Sequence, residues 1–220
     1  MSRTPQKRSG RKKPEERAAE IAQAARELAL ERGLSAITLR GVAAQAGVAS
    51  GLVAHYQPQV DSLVASTFSA IVSDEIREVE GLLAGLPAPR QRLAALLDTL
   101  LDSARLEVTA VWVEAWSLGR RNDVLAARVR EQMDAWQLII QGIVDAGIAA
   151  GEFETSDAAS VAWQILGMID GLNAQALVRW NGVSDRGAHL VRAVEGMVGA
   201  PGGGLLVHDP SAPDVPHPKQ

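Results

Sequence analysis

Five tryptophans, Trp112, Trp116, Trp136, Trp163 and Trp180, lie in the second half of a 220-residue chain whose only other aromatics are one tyrosine and two phenylalanines. An indole face carries partial negative charge and attracts organic cations. Trp112 and Trp116 stand four residues apart, on one face of a helix, with Glu114 turned away from them. Trp163 and Asp170 stand seven apart and share a face of a later helix. Trp112, Trp116, Trp136 and Trp163, with Asp170, are therefore candidate walls of a cavity between helices. Such a cavity suits an amine or a quaternary ammonium. The same indoles could equally fill a large helical core with their N–H groups paired.

Other chemistries find less support. The chain has no cysteine, which removes disulfides, thiolate metal sites and thiol nucleophiles together. Its four histidines, His55, His189, His208 and His217, form no pair at metal-ligand spacing. No Gly-x-Ser-x-Gly elbow occurs, and the glycine-rich stretch after Gly199 lacks the Gly-Lys-Ser/Thr of a phosphate loop. Carboxylates at helical spacing read as solvated faces. The expectation is a protein that is not an enzyme and needs no cofactor or metal. An all-α enzyme or a structural helical protein without DNA binding is the alternative.

A second constellation lies earlier, in LRGVAAQAGVASGLVAHY, residues 39–56. Small residues fill it until it ends in His55 and Tyr56. Thr38 can cap a helix over Leu39–Ala46, and Gly47 supplies the positive φ that a tight turn needs. A second short helix starts at Ala49 or Ser50 and stops before Pro58. Ala43 lets the two helices cross closely, and Val42, Val48 and Val53 can fill the core beneath. This is a helix-turn-helix. A DNA major groove is about 12 Å wide. Ala49, Ser50, Gly51 and Ala54 keep the second helix slim enough to approach base edges there, with His55 and Tyr56 able to reach phosphates. A tightly packed helical hairpin is the plainer reading of the same residues.

The elements that position these groups are all helical. Pro14, Glu15 and Glu16 open a first helix, Ile21, Ala25, Leu28 and Ala29 form its apolar stripe, and Gly33 closes it. A long helix runs from about Val60 to Leu83 and ends at a proline-containing linker over 84–90. Helices are expected over about 89–106, 108–118, 123–149, 156–180 and 185–198. No strand pattern and no repeat is found. The expected fold is all-α: a basic, unstructured arm over 1–13, a three-helix head over 14–60, a larger helical domain over 61–198, and an unstructured tail over 199–220.

Charge divides the same way. Residues 1–60 carry ten Lys/Arg and five Asp/Glu, a balance of +5, while the remainder carries 12 and 21, a balance of −9. A basic front on an acidic body points to a polyanion met by the front alone. No apolar run reaches the ~18 residues of a membrane span, and the N-terminus lacks a secretory signal. The expected location is the cytoplasm.

From IAQAARELALERGLSAITLRGVAAQAGVASGLVAHY through DSLV, about the first 65 residues, the chain resembles the TetR family of bacterial transcriptional regulators. VWVEAWSLGRRND, GEFETSDAAS and GMIDGLNAQAL are more loosely similar to its choline-responsive BetI-type branch. The resemblance implies a small DNA-binding head and a larger domain that binds a small molecule and forms a homodimer. It implies that Arg40 reads a base, guanine being the one its bidentate fork fits, and that Thr38 sits near the phosphates. Ala49, Ser50, Gly51 and Leu52 would open the recognition helix, and His55 and Tyr56 would contact phosphates. The implied action is a repressor that leaves a palindromic operator when an inducer binds.

Two positions depart from the family. Gln57 stands where Phe or Val is usual, and Val60 where Lys is usual, which removes a phosphate contact. The basic arm could restore it from the minor groove. In the second domain the last two helices are the expected dimer interface: Val161, Ile165, Met168, Ile169, Leu172 and Ala176 form a stripe that the core, a partner or both must cover, and Gly167 and Gly171 would let a partner helix approach closely.

Overall fold

The computed structural model describes residues 13–180 and 186–205. Among the described residues there are nine α-helices and no strand: α1 Pro14–Arg32, α2 Leu39–Ala46, α3 Ser50–Tyr56, α4 Val60–Ala84, α5 Pro89–Leu100, α6 Leu106–Gly119, α7 Asp123–Ala149, α8 Ala158–Leu177 and α9 Arg186–Met197. The chain divides into two compact units, one of residues 1–71 with 114–129 and one of 72–113 with 130–220. The long helices α4, α6 and α7 each contribute to both.

In the first unit, local chemistry sets each helix end. Pro14 occupies the first turn of α1, and Glu16 Oε2 reaches back to accept the Lys13 N–H at 3.1 Å. Ile21, Ala24, Ala25, Leu28 and Ala29 recur every three or four residues and are all buried. Gly33 ends the helix at φ 85°, where Glu114 from α6 packs on it and accepts the Ser35 N–H at 3.0 Å. Thr38 Oγ1 accepts the Gly41 N–H at 2.9 Å and starts α2. α1 packs against α2, and α2 against α3.

In the second unit, α5 and α8 both pack on α9. Asp157 caps α8, accepting the Ser160 N–H at 2.9 Å. The helix expected over 89–106 instead ends at Leu100. Asp102 accepts the Ala104 N–H at 2.9 Å, caps a short 3-10 turn over Ser103–Arg105, and so breaks the run before α6. The first residues of the tail expected to be unstructured also fold back. Leu205 is buried and donates its N–H to buried Glu195 Oε1 at 3.0 Å. The rest of that tail, and the basic arm as far as Lys12, lie outside the described residues.

The core covers much of the expected dimer stripe, leaving Met168 and Leu172 half-buried. Val161, Ile165, Ile169 and Ala176 are buried by this chain's own fold. Gly167 and Gly171 point the other way, exposed, with nothing within 4 Å of where a Cβ would sit. No described helix is long and apolar enough to cross a membrane.

Candidate functional site

Two sites emerge, one in each unit. The first is the α2–α3 face. Gly47 adopts φ 64°, ψ 36°, the left-handed conformation a side chain would strain, and its N–H and that of Val48 both close onto the end of α2. Val42, Ala43 and Val53 are buried in the turn's interior, whereas Val48 is only half-buried. The glycine at 41 is needed too: a Cβ there would lie 2.7 Å from the Ala36 carbonyl oxygen.

With the inner face occupied by those residues, the outer one carries the others. Thr38, Arg40, Ala49, Ser50, Gly51 and His55 are exposed, and Leu52 and Tyr56 half-buried. Nothing lies within 4 Å of a Cβ at Gly51, so the backbone there is open to an approaching surface. The His55 and Tyr56 rings meet edge to face at 5.2 Å, which fixes both at the end of α3. Gln57 is half-buried, and its N–H closes α3 onto the Val53 carbonyl at 2.7 Å. Val60 begins α4, half-buried.

The second site is a cavity with about 40 Å³ of free space in the other unit, lined from α4 to α8. Trp112 and Trp136 wall it, with Met133, Leu166 and Ile169. Its charged lining is Glu75, Asp170 and Arg105, two carboxylates against one guanidinium. Trp112 Nε1 donates to Glu75 Oε2 at 3.4 Å, and Arg105 Nη1 stands 3.7 Å from Glu75 Oε1. Arg105 divides its charge, since its Nη2 also donates to Glu78 Oε1 at 2.7 Å. Asn173 donates to the Leu100 carbonyl at 2.8 Å and ties α8 to the end of α5.

Burial raises the Glu75 carboxyl above its ordinary range, against the opposing pull of Trp112 and Arg105. Asp170 is pushed up to about 6, first by burial and then by the Glu75 charge. The cavity lining thus sets two carboxyls, whose ionised forms burial disfavours, beside one guanidinium.

The tryptophans separate. Trp112, Trp136 and Asp170 come together in the cavity. Trp163, expected beside Asp170 as a wall, is 67% exposed and lines an outer groove instead. Trp116 is half-buried and belongs to the other unit, so the shared helix face with Trp112 does not bring it to the cavity. Trp180 is exposed. Glu75 and Arg105 are cavity residues that the sequence reading did not single out. Glu75 sits in SDEIREVE, a run whose acids look uniformly solvated, and only the fold shows that it alone turns inward. Among the described residues no group of three or more His, Asp or Glu is placed to hold a metal ion.

The family model described as "Bacterial regulatory proteins, tetR family" matches residues 21–65. A second, described as "BetI-type transcriptional repressor, C-terminal", matches residues 89–197. The HTH-type transcriptional regulator BetI of Burkholderia thailandensis is 26% identical over 160 residues, which span 60% of this chain and 82% of that protein. A putative transcriptional regulator from Saccharomonospora viridis, solved in complex with choline, superposes with a TM-score of 0.74 at 22% identity, over 82% of this chain and 96% of that one. The transcriptional regulator FadR of Bacillus subtilis, solved with stearoyl-CoA, superposes with a TM-score of 0.62 at 22% identity, over 82% and 97%. At such identities the structural likeness concerns the fold.

Proposed function

The chain belongs to the TetR family of bacterial regulatory proteins, with a BetI-type C-terminal part, and from that premise we propose that it is a homodimeric repressor, released from a palindromic operator when a small organic cation fills the α4–α8 cavity. One observation carries the choice of ligand. Glu75 and Asp170 share the cavity with Trp112 and Trp136 and with a single guanidinium. A cation there supplies the missing charge to two carboxylates whose ionised forms burial penalises, and meets indole faces at the same time. The free space between these side chains, about 40 Å³, is far below the ~300 to ~1,000 Å³ of ligand cavities, so a ligand has to open it. A compact amine or quaternary ammonium needs less opening than a long acyl chain does. Choline in the Saccharomonospora viridis structure supports the same class.

On the DNA side, α3 enters the major groove with Ala49, Ser50, Gly51 and Leu52 leading. Arg40 reads a guanine from α2 through a bidentate pair, and Thr38, His55 and Tyr56 hold phosphates. Two such heads, one from each protomer, meet half-sites a turn or more apart. The dimer forms through α8 and α9, with Gly167 and Gly171 on the exposed side of α8 as the place of close approach. Induction requires only that the cation bind more tightly to the state whose heads no longer match the half-sites. The coupling is then reciprocal, so operator DNA weakens the cation by the same factor. The protein acts in the cytoplasm.

The test is a mobility shift with the intergenic DNA upstream of its own gene, with choline, spermidine and a neutral drug titrated in turn. Release by the cations alone supports the reading. Release only by neutral compounds overturns the ligand class, and no shift at low salt with folded dimer overturns the regulator.

A further inference from the structure

The α4–α8 cavity sets two carboxyls in a space too small to hydrate them. Its free volume of about 40 Å³ has room for about three water molecules. An ionised carboxylate there depends on protein donors and counter-charges instead. Glu75 on α4 has both, the Trp112 N–H at 3.4 Å and the Arg105 guanidinium at 3.7 Å. Asp170 on α8 has neither, since among the described residues no hydrogen bond or ion pair reaches its carboxyl. Arg105 makes its closer contact, 2.7 Å, with Glu78, whose side chain is largely exposed. From α5 and α6 the lining receives Leu100, Thr109 and Trp112, all uncharged. On α7, exposed Arg130 and Asp134 line the outer groove that Asp170 also touches, and their opposite charges offset each other.

Two carboxylates in one dry site, with a cation beside only the first, favour retention of a proton by the second. Burial and the Glu75 charge act on Asp170 in that direction and push it up to about 6. We propose that in mild acid the ligand-free Glu75–Asp170 pair carries one proton, that an organic cation must displace this proton to bind, and that acid therefore silences the inducer. This rests on the cationic ligand argued above. In the exchange the O–H bond of the Asp170 carboxyl breaks, its electron pair stays on the carboxylate oxygen, and the proton leaves to bulk water. One positive charge replaces another, so the dry site gains no net charge. At neutral pH Asp170 is ionised, and the cation binds without competition.

The competition fixes how affinity depends on pH. Below about pH 6 the affinity for a permanent cation falls by up to about tenfold per pH unit, and above about pH 7 it is level. The probes are tetramethylammonium, which has no proton of its own to lose, and neohexyl alcohol, the uncharged carbon analogue of choline. Indole fluorescence of the full-chain protein follows binding at pH 5 and pH 7.5. Calorimetric titration at each pH, in two buffers of different ionisation enthalpy, counts the protons released. The tetramethylammonium dissociation constant is expected to be about tenfold higher at pH 5, with about one proton released per site there and almost none at pH 7.5. Neohexyl alcohol displaces no proton and is expected to bind at least as well at pH 5. Glu75→Gln removes the neighbouring charge, so the fall in tetramethylammonium affinity should begin at lower pH.

Tetramethylammonium affinity that stays level from pH 5 to pH 7.5, with no proton released, overturns the proposal while leaving the ligand class standing. So does an equal weakening of neohexyl alcohol, because acid then acts on the fold rather than on the charge. An unmoved midpoint in Glu75→Gln overturns the sharing of the proton by this pair. Isotopic labelling of the aspartate carboxyls gives a reading that needs no binding by a variant. One resonance of the parent should titrate near pH 6, be missing in Asp170→Asn and shift when tetramethylammonium is added at pH 5; its absence from the parent overturns the proposal. A parent that binds neither tetramethylammonium nor choline at either pH overturns the ligand class and this proposal together.

Discussion

Asp170→Asn should make the ligand-free protein more stable and deaf to its ligand. In the parent, the Asp170 carboxyl is moved from 3.8 to about 6 by burial and by Glu75. At ~1.36 kcal/mol per pH unit this corresponds to about 3 kcal/mol of destabilisation once both folded and unfolded chains are ionised. The sign follows from proton counting. The folded state binds the extra proton between pH 4 and 6, so the parent loses stability as pH rises through that window. Asparagine keeps the size of the protonated acid and has no charge to bury. The variant's advantage is therefore absent below about pH 4, grows up to about pH 6 and holds at about 3 kcal/mol above it. For a chain of this length that is ~6–12 °C in melting temperature. Thermal melts of both proteins at pH 4 and pH 7.5, each with and without choline, give the answer. Choline should raise the parent's melting temperature at pH 7.5 and leave the variant's nearly unmoved. A variant that melts at or below the parent at pH 7.5, or an advantage equal at both pH values, would refute the account of the cavity.

Two further substitutions test how the elements are held. Thr38→Ala removes the 2.9 Å cap on Gly41 and should cost about 1 kcal/mol by urea denaturation. Its operator affinity should fall as well, because the cap and the proposed phosphate contact share one hydroxyl. Gly147→Ala places a methyl group against the Phe153 ring, with no room between them, and should cost about 1–3 kcal/mol. Phe153→Leu in the same chain should return part of that loss, which separates overpacking from any effect of the helix backbone.

Helix ends were legible in the sequence because single residues set them. Pro14, Gly33, Thr38 and Gly47 each act within a few residues of their own position, and all four act where expected. The missed break after Leu100 is of the same kind, since Asp102 needs only Ala104 to cap a short turn, but its context reads as one continuous apolar stripe. The outward placement of Thr38, Arg40, Ala49, Ser50, Gly51 and His55 was also local, because the outward and inward faces of short helices follow from spacing alone. The cavity was not. Glu75 and Trp112 are 37 positions apart, and only the packing of α4 against α6 brings the carboxylate to the indole. Trp163 misled for the opposite reason. An indole among Val161, Ile165 and Leu166 looks like core, yet it stands two positions from both Val161 and Ile165, about 200° around the helix, and so faces away from the buried side.

The central claim is that the face from Thr38 to Tyr56 reads DNA. Fluorescence anisotropy of the labelled upstream intergenic DNA, against scrambled DNA of equal length, tests it with the parent and with Arg40→Ala. The account predicts a selective complex for the parent, and for Arg40→Ala, melting at the parental temperature, a loss of about tenfold or more in affinity with relaxed discrimination at one base pair. An Arg40→Ala protein that holds the same DNA as tightly and as selectively as the parent would contradict it.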